Sequence, residues 1–281
     1  MKNLLEEKVS TSHIDELVLD FSLLEKVEYK NRKISQIDKL AFEDLTNLCY
    51  IDFSSNEISH IDSGLFNGLS NLIMLKLNNN KLSAIDSHLL KNLKSLKCID
   101  LSFNRIFSVN GCAFQGLENL LNINLSFNEI KFLSPDLFKD LKSISIIRLN
   151  NNRLTMIDAK IFRNLVSLEH IDLICNQIIG ISPEAFRDLK YLKSLNLSFN
   201  EIKYVDSVLF RGLKKLNTLT LNSNKIISID RFLFKNLINL KYLDLSFNKI
   251  MNFHPNTFDG LTSLTDLRLN YNKGNFNIKY H

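Results

Sequence analysis

Apolar residues recur along this chain with a period of 24, and the period runs without an insertion. Leu or Ile stands at residue 24 and at every 24th residue after it up to 264. Counting each of these as position one, position four is always Val, Ile or Leu, from Val27 to Leu267. Position six is Tyr29, then Phe53, then Leu from Leu77 to Leu269. Position nine is Arg32 once and then Asn ten times in succession, from Asn56 to Asn272. Ile or Leu follows at position eleven; position nineteen is Phe in nine of ten repeats, with Leu90 the exception, and position twenty-two is always Leu. A fixed period of this length is the mark of a stacked solenoid, in which each unit buries its apolar face against the next.

Each column has a physical reason. The alternation at positions four and six places both side chains on one face of a short strand and position five on the other. Strands from successive repeats then stack in parallel ~4.8 Å apart into one curved sheet. A buried Asn amide has two donors and an acceptor, enough to satisfy backbone groups of its own and the next turn. Position fifteen carries Asp38, Asp62, Asp86, Asp158, Asp206 and Asp230, with Asn110, Ser134 and Ser182 in the same column. These are helix-capping residues, and they predict a short helix or turn on the outer side. Pro135, Pro183 and Pro255 follow at position sixteen, where a first helical turn tolerates a missing N–H. Phe at position nineteen predicts an inward-facing aromatic stack.

Read together as LxxLxLxxNxLxxLxxxxFxxLxx, these residues resemble the leucine-rich repeat family in its 24-residue class. The resemblance covers ten repeats over residues 24–263 and an incomplete repeat with a tail over 264–281. Residues 1–23 read as a degenerate segment with one edge strand at Ile14, Leu17 and Leu19. The resemblance implies an α/β solenoid, a horseshoe with a concave parallel β-sheet and short convex helices or turns. It also implies a non-catalytic, secreted or cell-surface module that binds a protein on its concave face, similar to small leucine-rich proteoglycans and Toll-like receptor ectodomains.

Composition adds mostly exclusions. Twenty Phe against no Trp fits one recurring aromatic slot. The net charge of +5 is mild and dispersed along the chain, and basic residues do not cluster with aromatics, so no nucleic-acid partner is expected. No apolar run reaches the ~18 residues of a membrane helix. The six histidines fall in unrelated phases of the repeat, the Asp column is explained by capping, and four of the eight glycines share position twenty-one, a turn. Neither a nucleophile constellation, a metal site nor a phosphate loop is expected, and no cofactor.

Function in a solenoid rests on residues the repeat does not dictate, here positions two, three, five, seven and eight of the sheet. Position five carries both signs of charge, among them Asp52, Lys76, Asp100, Asp172 and Arg148. Position three brings Tyr50, Met74, Cys98 and Ile146, and position two adds Cys49, Ile73 and Leu121, apolar side chains the core has no use for. Phe103 and Phe127 at position eight can lean over the sheet edge and pack on neighbours. The expected ligand-binding residues are therefore Tyr50, Met74, Cys98 and Ile146, with Phe103, Phe127, Asp100 and Arg148 beside them.

Compartment is read from two opposed signals. Cys49, Cys98, Cys112 and Cys175 occupy positions that bring no pair within bonding reach, which suits a reducing compartment. The family class is mostly extracellular and usually carries cysteine-rich caps, which this sequence lacks along with a signal peptide; that suggests a fragment with uncapped ends able to associate end to end. Two sequons, Asn124-Leu125-Ser126 and Asn196-Leu197-Ser198, are no more than chance supplies. The expectation is an extracellular or cell-surface recognition module; the alternative is a cytoplasmic adaptor if Met1 is the true start.

Overall fold

The computed structural model describes residues 24–274 and 276. The edge strand expected at Ile14, Leu17 and Leu19 lies outside the described residues. Eleven parallel strands of three residues each form one sheet in chain order, from Lys26–Glu28 to Asp266–Arg268. Every strand takes positions three to five of its repeat, and the register is strict: Lys26 faces Tyr50, Tyr50 faces Met74, and Met74 faces Cys98. The 24-residue period thus becomes a spatial column, with equivalent positions side by side.

Position four is buried in every strand but the last, and position six is buried from Phe53 to Leu245. The rings of position nineteen stack behind them: Phe138 on Phe162 at 6.3 Å, Phe162 on Phe186 at 5.9 Å and Phe210 on Phe234 at 6.4 Å. Strands of a sheet lie ~4.8 Å apart. The wider step on the Phe side means that the sheet is the inner wall of the curve. Leu90 interrupts the stack and is itself fully buried.

The Asn column is interior, and its bonding has a direction. Asn152 accepts from the Ile130 N–H through Oδ1 at 3.0 Å and donates through Nδ2 to the Leu125 and Leu149 carbonyls at 2.9 and 3.1 Å. Leu149 is its own turn; Ile130 and Leu125 belong to the preceding one. The expectation of bonds to the next turn is corrected accordingly: each Asn reaches back and ties its repeat to the one already laid down.

On the outer side the caps form but almost no helix follows. Asp38, Asp62, Asp86, Asp158, Asp206 and Asp230 each accept from the N–H two residues on. The chain then turns, and among the described residues the 3-10 turn Pro255–Phe258 is the one helical element there. Position twenty-two must return to the core within seven residues of the cap, which leaves too little chain for an α-helix. Two short parallel pairs stiffen the edge after the Asn turn, Ala84–Ile85 with Ser108–Val109 and Met156–Ile157 with Gly180–Ile181.

Candidate binding surface on the concave sheet

Positions three and five of each strand flank the buried position four, so they form the concave face. Register places Tyr50, Met74 and Cys98 on three consecutive strands, and Asn122 separates Cys98 from Ile146. Asp100 and Arg148 are likewise separated by Asn124. All four position-three residues are half-buried rather than free surface.

Position five was expected to be outside the control of the repeat, and here the structure corrects the sequence reading. Asp52, Asp100, Asn124, Asp172, Asn196 and Asp244 each accept, through Oδ1, from the backbone N–H two residues on. The side chain caps the end of its own strand, a local bond that Asp and Asn make readily. Asp100 is thus partly committed, since its Oδ1 also accepts from the Ser102 hydroxyl at 2.6 Å. On half-buried strands, Asn124 likewise accepts from the Ser126 hydroxyl, whereas Asn196 accepts from the Thr220 hydroxyl of the next strand.

Two clusters repeat one design at either end of the face. The Tyr50 hydroxyl donates to Asp52 Oδ2 at 3.1 Å, and Lys76 Nζ lies 3.9 Å from the same oxygen. Lys26 and Lys76 sit 4.8 and 5.4 Å from the Tyr50 ring centre. Asp52 is 4% exposed. Burial works to raise its carboxyl, but the Ser54 hydroxyl and N–H, the Tyr50 hydroxyl and the Lys76 charge outweigh it and hold it below the usual value. At the far end the Tyr242 hydroxyl donates to Asp244 at 3.2 Å, and the Arg268 guanidinium lies 5.0 Å from the Tyr242 ring. Burial, followed by the Asp244 charge, pushes the Tyr242 hydroxyl up. Tyr50 is therefore a member of a polar network, and replacing it disturbs a buried carboxylate.

Between the clusters the sheet opens into a shallow cleft of about 310 Å³ lined by Ile146, Arg148, His170, Asp172, Ser194 and Asn196. Arg148 donates to Asn122 Oδ1 at 2.9 Å and so is held across the cleft wall. Burial raises the Asp172 carboxyl, against the Ile174 N–H and the Arg148 charge. His170, Asp172, Ser194 and Asn196 extend the predicted site toward the C-terminal half. They lie in the same columns, three and five, that singled out Ile146 and Arg148, and that was the signal for them.

At the strand exits, position eight adopts the left-handed region in every repeat, with φ of 53° at both Phe103 and Phe127. A bulky residue is disfavoured there, where Asn is the common choice. The two rings stack at 4.1 Å and 9° and remain 51% and 41% exposed. Phe247 and Tyr271 repeat the pair at 4.3 Å. The aromatic packing expected at the edge is present, and it leaves half of each ring facing solvent.

Among the described residues no group of three or more His, Cys, Asp or Glu is placed to hold a metal ion, and no helix is long and apolar enough to cross a membrane. The four cysteines carry free thiols.

None of the curated proteins compared matches the chain. Among solved structures, one chain of the TLR13–ssRNA13 complex is 28% identical with a TM-score of 0.81; the match covers 88% of this chain and 36% of that one. The Toll–Spatzle complex of Drosophila matches at 24% identity and a TM-score of 0.62, over 84% of this chain and 38% of that one. A complex of latrophilin 3, Unc5D and the leucine-rich repeats of FLRT2 matches at 24% identity and a TM-score of 0.74, over 87% of this chain and 73% of that one. The chain thus spans little more than a third of the length of the first two. The fold is shared with chains solved in complexes with protein or RNA. The leucine rich repeat pattern itself matches in six overlapping stretches, 12–82, 56–106, 95–154, 142–202, 175–226 and 214–273, and the chain belongs to the leucine-rich repeat family.

Proposed function

We propose that this chain is a non-catalytic recognition module that binds a protein ligand on its concave face, as part of a secreted or cell-surface protein. The observation that carries this reading is the concave cleft around Ile146, Arg148, His170 and Asp172, with the half-buried Met74 and Cys98 on the same face beyond the Asn122 strand. It combines apolar side chains with charges of both signs, the mixture found at protein interfaces. Solved relatives of the same fold include complexes with a protein partner, Toll with Spatzle and FLRT2 with Unc5D and latrophilin 3. The ligand-binding residues are Tyr50, Met74, Cys98, Asp100, Phe103, Phe127, Ile146 and Arg148, with the Phe103–Phe127 pair as a hydrophobic step at the rim. The four free thiols favour a second reading, a cytoplasmic adaptor using the same face.

The test uses the chain displayed on beads against secreted and cytosolic protein fractions, with wild type and the Met74→Ala/Ile146→Ala variant matched in melting temperature. The expected result is a partner in the secreted fraction that the variant loses at least tenfold. A partner retained equally by both proteins removes the concave face from recognition; one found only in the cytosolic fraction selects the adaptor.

A further inference from the structure

The outer face carries a row of positive charge that the linear sequence hides. Position twenty follows the inward Phe and is exposed. From the fifth to the ninth repeat it reads Lys139, Arg163, Arg187, Arg211 and Lys235. The row is bounded by Gln115 in the fourth repeat and Asp259 in the tenth. Three of the four ring steps beside the row measure 5.9 to 6.4 Å, so there the chain presents one cation at about that interval. Position twenty-three adds Lys142, Lys190 and Lys214 beside it. Over positions twenty to twenty-four of these five repeats there are nine cations and two carboxylates, an excess greater than the +5 of the whole chain.

These charges are not consumed within the molecule. The two carboxylates are Asp140 and Asp188, and each turns its Oδ2 to a backbone N–H of the preceding repeat, Gly116 and Asn164, at 3.1 Å. Among the described residues Lys139, Arg163 and Arg211 form no ion pair, while Arg187 meets Glu184 at 3.1 Å and Lys142 meets Glu118 at 2.7 Å, both exposed pairs of little strength.

The row ends in a cleft of about 320 Å³ whose lining includes Arg231, Lys235, His254, Asp259 and Thr257. Thr257 is 1% exposed, and its Oγ1 is the buried side-chain polar atom left without a hydrogen-bond partner among the described residues. Position eighteen is otherwise Ala, Leu or Ile, so the fold itself has no use for a hydroxyl there. An unpaired buried hydroxyl is unfavourable unless something supplies the missing bond.

We propose that the outer face binds a linear polyanion, a sulfated polysaccharide, along the Lys139–Lys235 row, with one anionic group seated in the terminal cleft against Lys235, Arg231 and the Thr257 hydroxyl. A polysaccharide fits better than a single-stranded nucleic acid because binding of the latter interleaves cations with free aromatic faces. In this row the Phe232 ring is already occupied by Arg231 at 4.3 Å and Lys235 at 5.7 Å, and Tyr191 is a single exposed ring rather than a series of stacking faces. The stacked pairs Phe103–Phe127 and Phe247–Tyr271 sit at the strand exits, away from the row.

The experiment titrates the whole chain with heparin, with desulfated heparin and with a single-stranded RNA homopolymer at several salt concentrations. Wild type is expected to bind heparin with an affinity that falls steeply with salt and to ignore the desulfated form. Arg163→Gln/Arg211→Gln should lose about tenfold at physiological salt and flatten the log–log salt slope by roughly two units, one per contact removed. Arg105→Gln/Lys249→Gln makes the same charge change on the opposite edge and should leave both unchanged. Equal losses in the two variants would show general charge attraction and overturn the row as a site. Tighter binding of RNA, reduced by the same Arg163/Arg211 change, would overturn the polysaccharide. Thr257→Val should keep or raise the melting temperature and lose about threefold in heparin affinity; an unchanged affinity removes the cleft from the site.

Discussion

Asp52 and Asp172 occupy the same position of the repeat, on strands of the same sheet, and each accepts a hydrogen bond from the N–H two residues on. Burial works to raise both carboxyls. Asp52 nevertheless ends below the ordinary carboxylate value and Asp172 above it. The difference lies in three neighbours. Asp52 has a hydroxyl at position seven of its own repeat (Ser54), a hydroxyl at position three (Tyr50) and a cation on the next strand (Lys76). Asp172 has Ile174 and His170 in the equivalent places and Asn196 on the next strand, so its help comes from one N–H and from Arg148 on the strand before. One carboxylate is built into the sheet. The other is held ready in a cleft.

The interior sets the scale for breaking that contrast. Asn152→Ala leaves the Ile130 N–H and two carbonyls without their side-chain partner, and should cost ~1–3 kcal/mol in urea unfolding at pH 7. An unchanged stability would remove position nine from the core. Asp52→Ala should come close behind, about 2 kcal/mol, because it deprives the Ser54 N–H and the Tyr50 hydroxyl of their acceptor. If Asp52 is merely surface, this loss will be within error of zero.

The smaller effects test charge rather than hydrogen bonding. A carboxyl whose folded value is lowered stabilises the fold while ionised; its contribution is complete above the unfolded value and is lost as the pH falls through the folded one. Asp52→Asn should therefore be destabilised by about 1 kcal/mol at neutral pH, and the gap to wild type should close as the pH drops below the ordinary carboxylate range. A gap independent of pH would mean that the charge contributes nothing. Asp172 has the opposite sign. Its ionised form is penalised in the fold above the folded value, and the penalty disappears on acidification. Asp172→Asn keeps the acceptor for Ile174 and should raise stability at pH 7 by a few tenths of a kcal/mol, an advantage that vanishes in acid. Smallest of all, Ile174→Ser supplies the hydroxyl that Asp52 enjoys; carboxyl NMR titration should then show Asp172 moving toward Asp52, and no movement would refute this account of the difference.

Much of this was legible in the sequence because a repeat reports its own averages. Val27 to Leu267 at position four, the Asn ladder and the Phe stack all follow from period and polarity, and each stands where the pattern puts it. Position five was misread as free because an Asp that caps its own strand looks, in sequence, like any surface acid. Phe103 and Phe127 were legible as edge aromatics, but not their left-handed backbone or the half of each ring that stays in water.

By itself the sequence determined the unit: which residues face inward, where the chain turns, and that each turn must pack on another, because no single repeat can bury its own leucines. Only the tertiary structure decided what one repeat does to the next. It settled that each Asn bonds backward, and that Lys76 reaches Asp52 from the following strand. The physical reason is range: apolar periodicity acts within a turn and is written in it, whereas hydrogen bonds and Coulomb forces act across turns and depend on a stacking that the linear order conceals.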